Sequence, residues 1–264
     1  MTNYQVISQE RHAGKRWHRF KTYAHAANDM VAALVAQELP KALLSLPIGF
    51  VEQDANYLPV AILGLAPGEN LFTNPDGNWG DSYIPAIYRS YPYRLADAED
   101  GQQVLVIDED SGLVSDGSEG EAFFDNEGLP TKPLQDIFGF LSSIESSRQF
   151  TVRACAALKK YELVKPWPIT IQGVSGDQRL AGLYRVEEAD LGRLSPEALH
   201  ELMQSGGMAI AYCQLLSTQN LPRLGQLAQA RNGVMRHGSL SGSNGELDLE
   251  FLNQGGTISF GNLF

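Results

Sequence analysis

The residues of this chain best equipped for recognition chemistry are crowded between Tyr83 and Arg94. Four tyrosines (Tyr83, Tyr88, Tyr91, Tyr93), two prolines (Pro85, Pro92) and two arginines (Arg89, Arg94) share that short stretch. Tyrosine is rigid and amphipathic, and arginine offers a planar fork that matches a carboxylate, so the segment suits a groove for a peptide or polar ligand. Read as a strand, its period of two puts Arg89, Tyr91 and Tyr93 on one face. A charged fork then lies beside two aromatic plates, a fit for a carboxylate next to a flat or aliphatic group. Pro92 cannot donate to a ladder, so the strand is expected at a sheet edge, where a partner can approach. The expected ligand-binding set is therefore Tyr83, Tyr88, Arg89, Tyr91 and Tyr93. The competing reading turns the tyrosines into the core and gives Arg89 an internal ion pair.

Catalytic patterns are sparse. His200-Glu201 opens like a zincin helix, but Gln204 stands where the second imidazole is needed. Gly173-Val174-Ser175-Gly176-Asp177 lacks the last glycine of a nucleophile elbow. The loop from Asn74 to Asp81 has oxygen ligands at alternate positions, yet Trp79 replaces the glycine of a calcium loop and Pro85 its closing glutamate. Asp108, Glu109 and Asp110 head an acidic run that continues to Glu121, and they are the candidate cation ligands, although their spacing matches no defined loop. No phosphate-binding or dinucleotide glycine motif occurs, so no cofactor is expected.

Strands and turns surround the Tyr/Arg segment, with helices after it. Apolar residues from Tyr23 to Leu39 recur at three- and four-residue spacing, which predicts a helix over Phe20 to Leu46. Ile48–Val51 and Pro59–Leu65 read as strands joined near Asp54-Ala55-Asn56. Asn74-Pro75-Asp76-Gly77 and Asp125-Asn126-Glu127-Gly128 read as turns, and Gln103–Asp108 as a buried strand. Leu134, Ile137, Phe138, Leu141, Ile144, Val152, Cys155 and Leu158 trace one face of a long helix over 134–161. A hairpin is expected between Ile169–Gln172 and Leu180–Val186. Ser195-Pro196-Glu197 starts a helix that Gly206-Gly207 breaks, and a further helix runs from Met208 to about Arg231. Alternation in Glu246–Phe251 suggests a strand in the tail.

The whole chain has 264 residues and a net charge of −11. That balance argues against nucleic acid as a partner, since neutralising phosphates needs clustered cations. Arg11, Lys15, Arg16, Arg19 and Lys21 form a local basic run, read either as an anion contact or as an arm folding back onto the acidic body. Cys155 and Cys213 are too few for a disulfide framework and fit a reducing compartment. No apolar secretory segment opens the chain and no run reaches the ~20 residues of a membrane span, so a soluble cytoplasmic protein is expected.

Several segments together resemble the SapC family of bacterial proteins: Pro47-Ile48-Gly49-Phe50-Val51, Pro59–Leu65, Pro67–Phe72, Tyr83-Ile84-Pro85, Arg89-Ser90-Tyr91-Pro92-Tyr93, Ile107–Ser111 and Ala122–Asp125. The resemblance runs from about Arg19 to Leu224. It implies a context of bacterial surface layers, with genes for outer-membrane receptors and flavin-dependent halogenases as neighbours, and it brings no catalytic residues. The unrelated transporter permease of the same name has membrane helices that have no counterpart in this sequence.

The expected fold is α+β, a small mixed or antiparallel sheet from the first half packed against long helices of the second. It divides into a basic arm (1–21), a SapC-like domain (22–231) and a Gly/Ser/Asn-rich, strand-like tail (232–264). The function expected is an accessory or binding protein that recognises a peptide or protein partner through the Tyr/Arg segment, with oligomeric state left open. An enzyme of unrecognised class using metal-assisted chemistry is the alternative, and a surface-layer component the second alternative.

Overall fold

A computed structural model describes residues 3–98, 101–173 and 176–240. In chain order the elements are β1 (Tyr4–Val6), α1 (Gln9–His12), β2 (Arg16–Trp17), β3 (Val31–Ala33), α2 (Leu39–Ala42), β4 (Ile48–Gln53) and β5 (Asn56–Ile62). There follow α3 (Ala86–Arg89), β6 (Tyr93–Asp97), β7 (Gln103–Asp108), β8 (Val114–Ser115), β9 (Glu121–Ala122) and α4 (Lys132–Lys160). The remainder is β10 (Val164–Pro166), β11 (Ile169–Gly173), β12 (Gly176–Leu180), β13 (Tyr184–Val186), α5 (Glu188–Leu191), α6 (Pro196–Ser205), α7 (Gly207–Ser217) and α8 (Leu221–Leu240). The architecture is α+β, with antiparallel sheets mainly from the first half and the long helices in the second. One compact unit extends to Ala228, and a second begins at Gln229.

The largest sheet has five strands in the order β10-β13-β4-β5-β3. Its centre is the hairpin of β4 and β5, closed by Asp54 and Ala55, both at positive φ (49° and 59°). Two such residues match the right-handed twist of the strands they join, although neither is the glycine that favours this conformation. β13 meets β4 only at Tyr184 and Phe50. Side chains of α7 supply hydrogen bonds beside that short pairing. The Ile48 amide donates to Ser217 Oγ (2.9 Å) and the Val186 amide to Gln214 Oε1 (2.9 Å), both side chains being fully buried.

Two smaller sheets, β1-β7-β6 and β8-β2-β9, complete the first half. The basic N-terminal segment is woven into both, since β1 pairs with β7 and β2 lies between β8 and β9. The acidic body takes up its charges. Arg11 and Lys15 donate to Glu109 (2.5 and 2.8 Å at closest), and Arg19 donates to Glu121 (2.6 Å).

Three expected elements differ. The helix over Phe20 to Leu46 is replaced by a 3-10 turn (Ala24–Ala26), β3 and the short α2. Residues Val31–Ala33 satisfy their backbone by pairing with β5, and Pro40 has no amide to continue a helix through its position. The hairpin beginning at Ile169 closes on Gly176–Leu180, because Tyr184–Val186 pairs with β10 and β4 instead. The helix from Met208 is interrupted by a 3-10 turn at Thr218–Asn220, where Asn220 Nδ2 donates to the Leu43 carbonyl (2.8 Å). The predicted tail strand at 246–251 lies outside the described residues.

Among the described residues, two hydrophobic cores result. The larger gathers Phe50, Ile62, Phe72, Leu158 and Leu202 between the five-stranded sheet and the helices. The smaller contains Trp17, Tyr93, Leu105, Ile107, Phe123, Leu134 and Leu141. At 1.5 Å per residue, the 29 residues of α4 extend about 43 Å. One half of that helix therefore contributes Leu134 and Leu141 to the smaller core, and the other contributes Ala154, Cys155 and Leu158 to the larger. Gly206 joins α6 to α7 at φ 81°, where a Cβ would lie 2.3 Å from the Phe150 ring. Only glycine fits there.

Candidate functional site

The residues predicted to share a strand face do not lie on one strand. Residues Ala86–Arg89 form the single turn of α3, and β6 begins only at Tyr93. Pro85 sets the start of that turn, and the Tyr88, Arg89 and Ser90 amides bond back to Pro85 and Ala86. The alternation expected for Arg89, Tyr91 and Tyr93 is thereby lost. β6 is nonetheless an edge strand, paired on one side with β7.

Tertiary packing brings part of the set together by another route. Arg89, Tyr91 and Tyr93 line a cleft of about 500 Å³. Its other aromatic walls are Trp17, Phe20, Tyr23 and Phe140, and its further cations are Arg19 and Lys132. Tyr83 and Tyr88 stand behind it. Tyr88 is only 4% exposed, and Tyr83 donates its hydroxyl to Glu38 Oε1 (2.7 Å). Burial pushes the Tyr83, Tyr88 and Tyr93 hydroxyls above the usual tyrosine range, so all three stay protonated.

Glu38 is the hub behind the cleft. Only 3% exposed, it accepts from the Val35 amide (3.1 Å), the Ala86 amide (2.6 Å) and Tyr83. Arg89 Nη2 lies 3.9 Å from its Oε1. The Arg89 guanidinium also donates through Nε to the Ile84 carbonyl (3.0 Å) and stacks 5.0 Å over the Phe140 ring. Arg89 thus lines the cleft and also lies against an internal carboxylate.

The other two cations of the cleft each have a carboxylate partner. Arg19 binds Glu121 through two donors, and Lys132 is bonded to Asp136 one turn along α4. Aromatic packing continues behind Tyr91, whose ring stacks on His25 (4.0 Å, 9°). Burial among these rings lowers the His25 pKa and keeps its imidazole neutral. Sequence reasoning missed Trp17, Phe20, Tyr23, His25 and Phe140 as neighbours of the segment. The interleaving of Trp17 and Phe20 with the basic run was the one available signal.

The acidic candidates are occupied differently. Asp108 Oδ1 accepts from the Asn3 amide (2.9 Å) and the Asp110 amide (3.2 Å), so it caps the turn at Glu109–Ser111. Glu109 faces Arg11 and Lys15, with His12 Nε2 at 3.4 Å. The Arg11 hydrogen bonds lead in depressing the Glu109 pKa to about 2. Among the described residues, no group of three or more His, Cys, Asp and Glu side chains is arranged to hold a metal ion.

A second cavity, of about 510 Å³, lies between α4 and α7 and is lined by no charged side chain. Its serine hydroxyls are used locally. Ser147 accepts from the Gln37 amide (3.2 Å), and Ser146 donates to the Ser142 carbonyl (2.9 Å).

No curated protein and no solved structure matches the chain. The match is to a family: with its model aligned over residues 7–224, from just after β1 through the cleft to the start of α8, the chain belongs to the SapC family.

Proposed function

We propose that this protein is a binding module that captures a peptide or protein partner in the cleft between α3, α4 and the N-terminal strands. The observation that carries this reading is the convergence of Arg89, Tyr91 and Tyr93 with Trp17, Phe20 and Phe140 around about 500 Å³. Ligand sites are concave, largely apolar and furnished with a few oriented polar groups, and this cleft has that composition. Tyrosine, tryptophan and arginine are also the side chains that dominate binding energies at interfaces. The protein acts in the cytoplasm. Two free cysteines support that location, with the Cys155 thiol sealed in the core and pushed up to about 12 by burial.

Peptide display on the full chain tests the reading, using libraries with free C-termini and libraries with internal sequences. Enrichment of a defined motif is expected, with Tyr91→Ala weakening the selected peptides about tenfold at unchanged fold. Absence of any enrichment, or enrichment indifferent to Tyr91→Ala, overturns it. Fractionation of the source cells tests the location, and recovery mainly from the medium counts against it.

A further inference from the structure

Two residues that line the cleft each carry a buried donor without a hydrogen-bond partner among the described residues. The donors are the indole Nε1 of Trp17 and the hydroxyl of Tyr93. The side chains are 3% and 2% exposed, and their rings meet edge to face at 5.3 Å. Leaving a buried donor unpaired costs free energy comparable to a lost hydrogen bond, and here two such costs fall side by side. Trp79 shows the ordinary arrangement, its Nε1 donating to the Tyr83 carbonyl at 2.8 Å.

What adjoins the pair is a movable cation. The Arg19 guanidinium lies 5.8 Å from the Trp17 ring centroid, and the Arg19–Glu121 ion pair acts electrostatically on Tyr93. Arg19 is 71% exposed, and an exposed ion pair is readily exchanged for another carboxylate. The indole donates only, and guanidinium and ammonium groups accept nothing. Acceptors line the cleft too, among them the Tyr23 and Tyr91 hydroxyls, which donate equally well. Asp136 is engaged by Lys132, and Ser90 donates to the Ile87 carbonyl. A ligand that complements this wall is therefore rich in acceptor oxygens, and the aromatic plates of Tyr91 and Phe140 suit a ring beside them.

We propose that Trp17 and Tyr93 form a carboxylate subsite for the C-terminus of a peptide ending in an aromatic residue, with Arg19 crossing from Glu121 to complete it. This rests on the reading of the cleft as a peptide site. A chain terminus presents two oxygens on one carbon at its tip, one for each of the neutral donors carried by this pair of touching rings. Both donor atoms are closed to solvent in the free protein, so local opening of the Trp17–Tyr93 wall is part of binding.

The test titrates the full chain with N-acetyl-Gly-Ala-Phe as the free acid, the same peptide as its C-terminal amide, and N-acetyl-Ala-Glu-Phe-amide, which carries an internal carboxylate. The readout is the indole N–H resonances of Trp17, Trp79 and Trp167. Trp17 is assigned by Trp17→Phe or, by elimination, from Trp79→Phe and Trp167→Phe. The free acid is expected to move the Trp17 resonance downfield and leave Trp79 in place, with both amides at least about tenfold weaker. Tyr93→Phe is expected to weaken the acid about tenfold and the amides little. It should not lower the melting temperature, because the hydroxyl it removes has no partner to lose. Equal binding of acid and amide in the cleft overturns the carboxylate subsite while the peptide reading stands. Equal binding of the internal-carboxylate peptide overturns the chain-terminus assignment. Failure of all three peptides to move any cleft resonance overturns the subsite, and the reading beneath it falls only if display also yields nothing.

Discussion

At the scale of single residues, buried charge decides which side chains are interchangeable. Glu38 is sealed and serves two amides, the Tyr83 hydroxyl and Arg89, whereas Arg89 is 41% exposed and only 3.9 Å from one carboxylate oxygen. Removing the carboxylate strands two buried amides and the half-buried Tyr83 hydroxyl, so Glu38→Ala is expected to cost about 3 kcal/mol in a urea titration. Arg89→Ala is expected to cost about 1 kcal/mol, since solvent screens its charge and Glu38 keeps its other donors. The reverse order would show Arg89 to be a structural ion pair first and a cleft residue second. Acid stability has two origins. The His12 and His25 pKa values are lowered mainly by burial, so the unfolded chain binds their protons first, and stability falls as pH drops below about 6.5. Glu109 is depressed to about 2, so its contribution is present above about 4.5 and fades as pH falls toward 2. Because Arg11 is 45% exposed, that contribution is at most about 2 kcal/mol. Glu109→Gln should flatten the lower limb of a stability–pH curve and steepen the upper one, because the Glu109 carboxylate 3.4 Å from His12 favours its protonated form in the folded protein.

At the scale of elements, α4 is one helix serving two cores, and its positions are not equivalent. Leu158 is fully buried in the larger core, while Leu141 retains 8% exposure in the smaller one. Leu158→Ala is expected to cost about 3–5 kcal/mol and Leu141→Ala about 2–3 kcal/mol by denaturant midpoint, because the site nearer the surface collapses more easily around the deletion. Phe138 lies on the predicted apolar face yet is 39% exposed, so Phe138→Ala should cost under about 1 kcal/mol. A Leu141→Ala protein as stable as the parent would remove that face of the helix from the core.

At the scale of the molecule, the shared helix couples the two cores. Trp17 reports on the smaller, and Trp79 and Trp167 on the larger. A helix nucleates at a cost and propagates cooperatively, so half of α4 gains little by persisting when the other half has lost its packing. Fluorescence from Trp17 alone, in a Trp79→Phe/Trp167→Phe protein, should therefore show one transition. Its midpoint should match circular dichroism of the same protein. Separate midpoints would mean that the cores unfold independently, and a lower midpoint for Trp17 would put the cleft on the less stable one.

How much of this was legible depended on the range of the interaction. The β4–β5 hairpin, the strand at Gln103–Asp108, the Ser195 cap, the glycine stop at Gly206 and the long helix are written in neighbouring residues, through turn chemistry, capping and periodicity. The family motifs were equally local. Spacing failed where long-range pairing overrode it. Residues 31–33 carry apolar residues at helical intervals, but β5 offered their backbone a partner, and the short-range signal gave way. The candidate site divides along the same line. Its chemistry, arginine beside tyrosine, stands in the segment from Tyr83 to Tyr93, but a turn at Ala86–Arg89 replaced the expected strand and sent Tyr83 and Tyr88 inward. Trp17, Phe140 and the unpaired donors of the cleft come from segments far apart in the chain. Sequence alone determined which side chains this protein has for recognition and which local elements carry them. Packing between distant segments decided which of those side chains meet, because burial and hydrogen-bond satisfaction are properties of the assembled core.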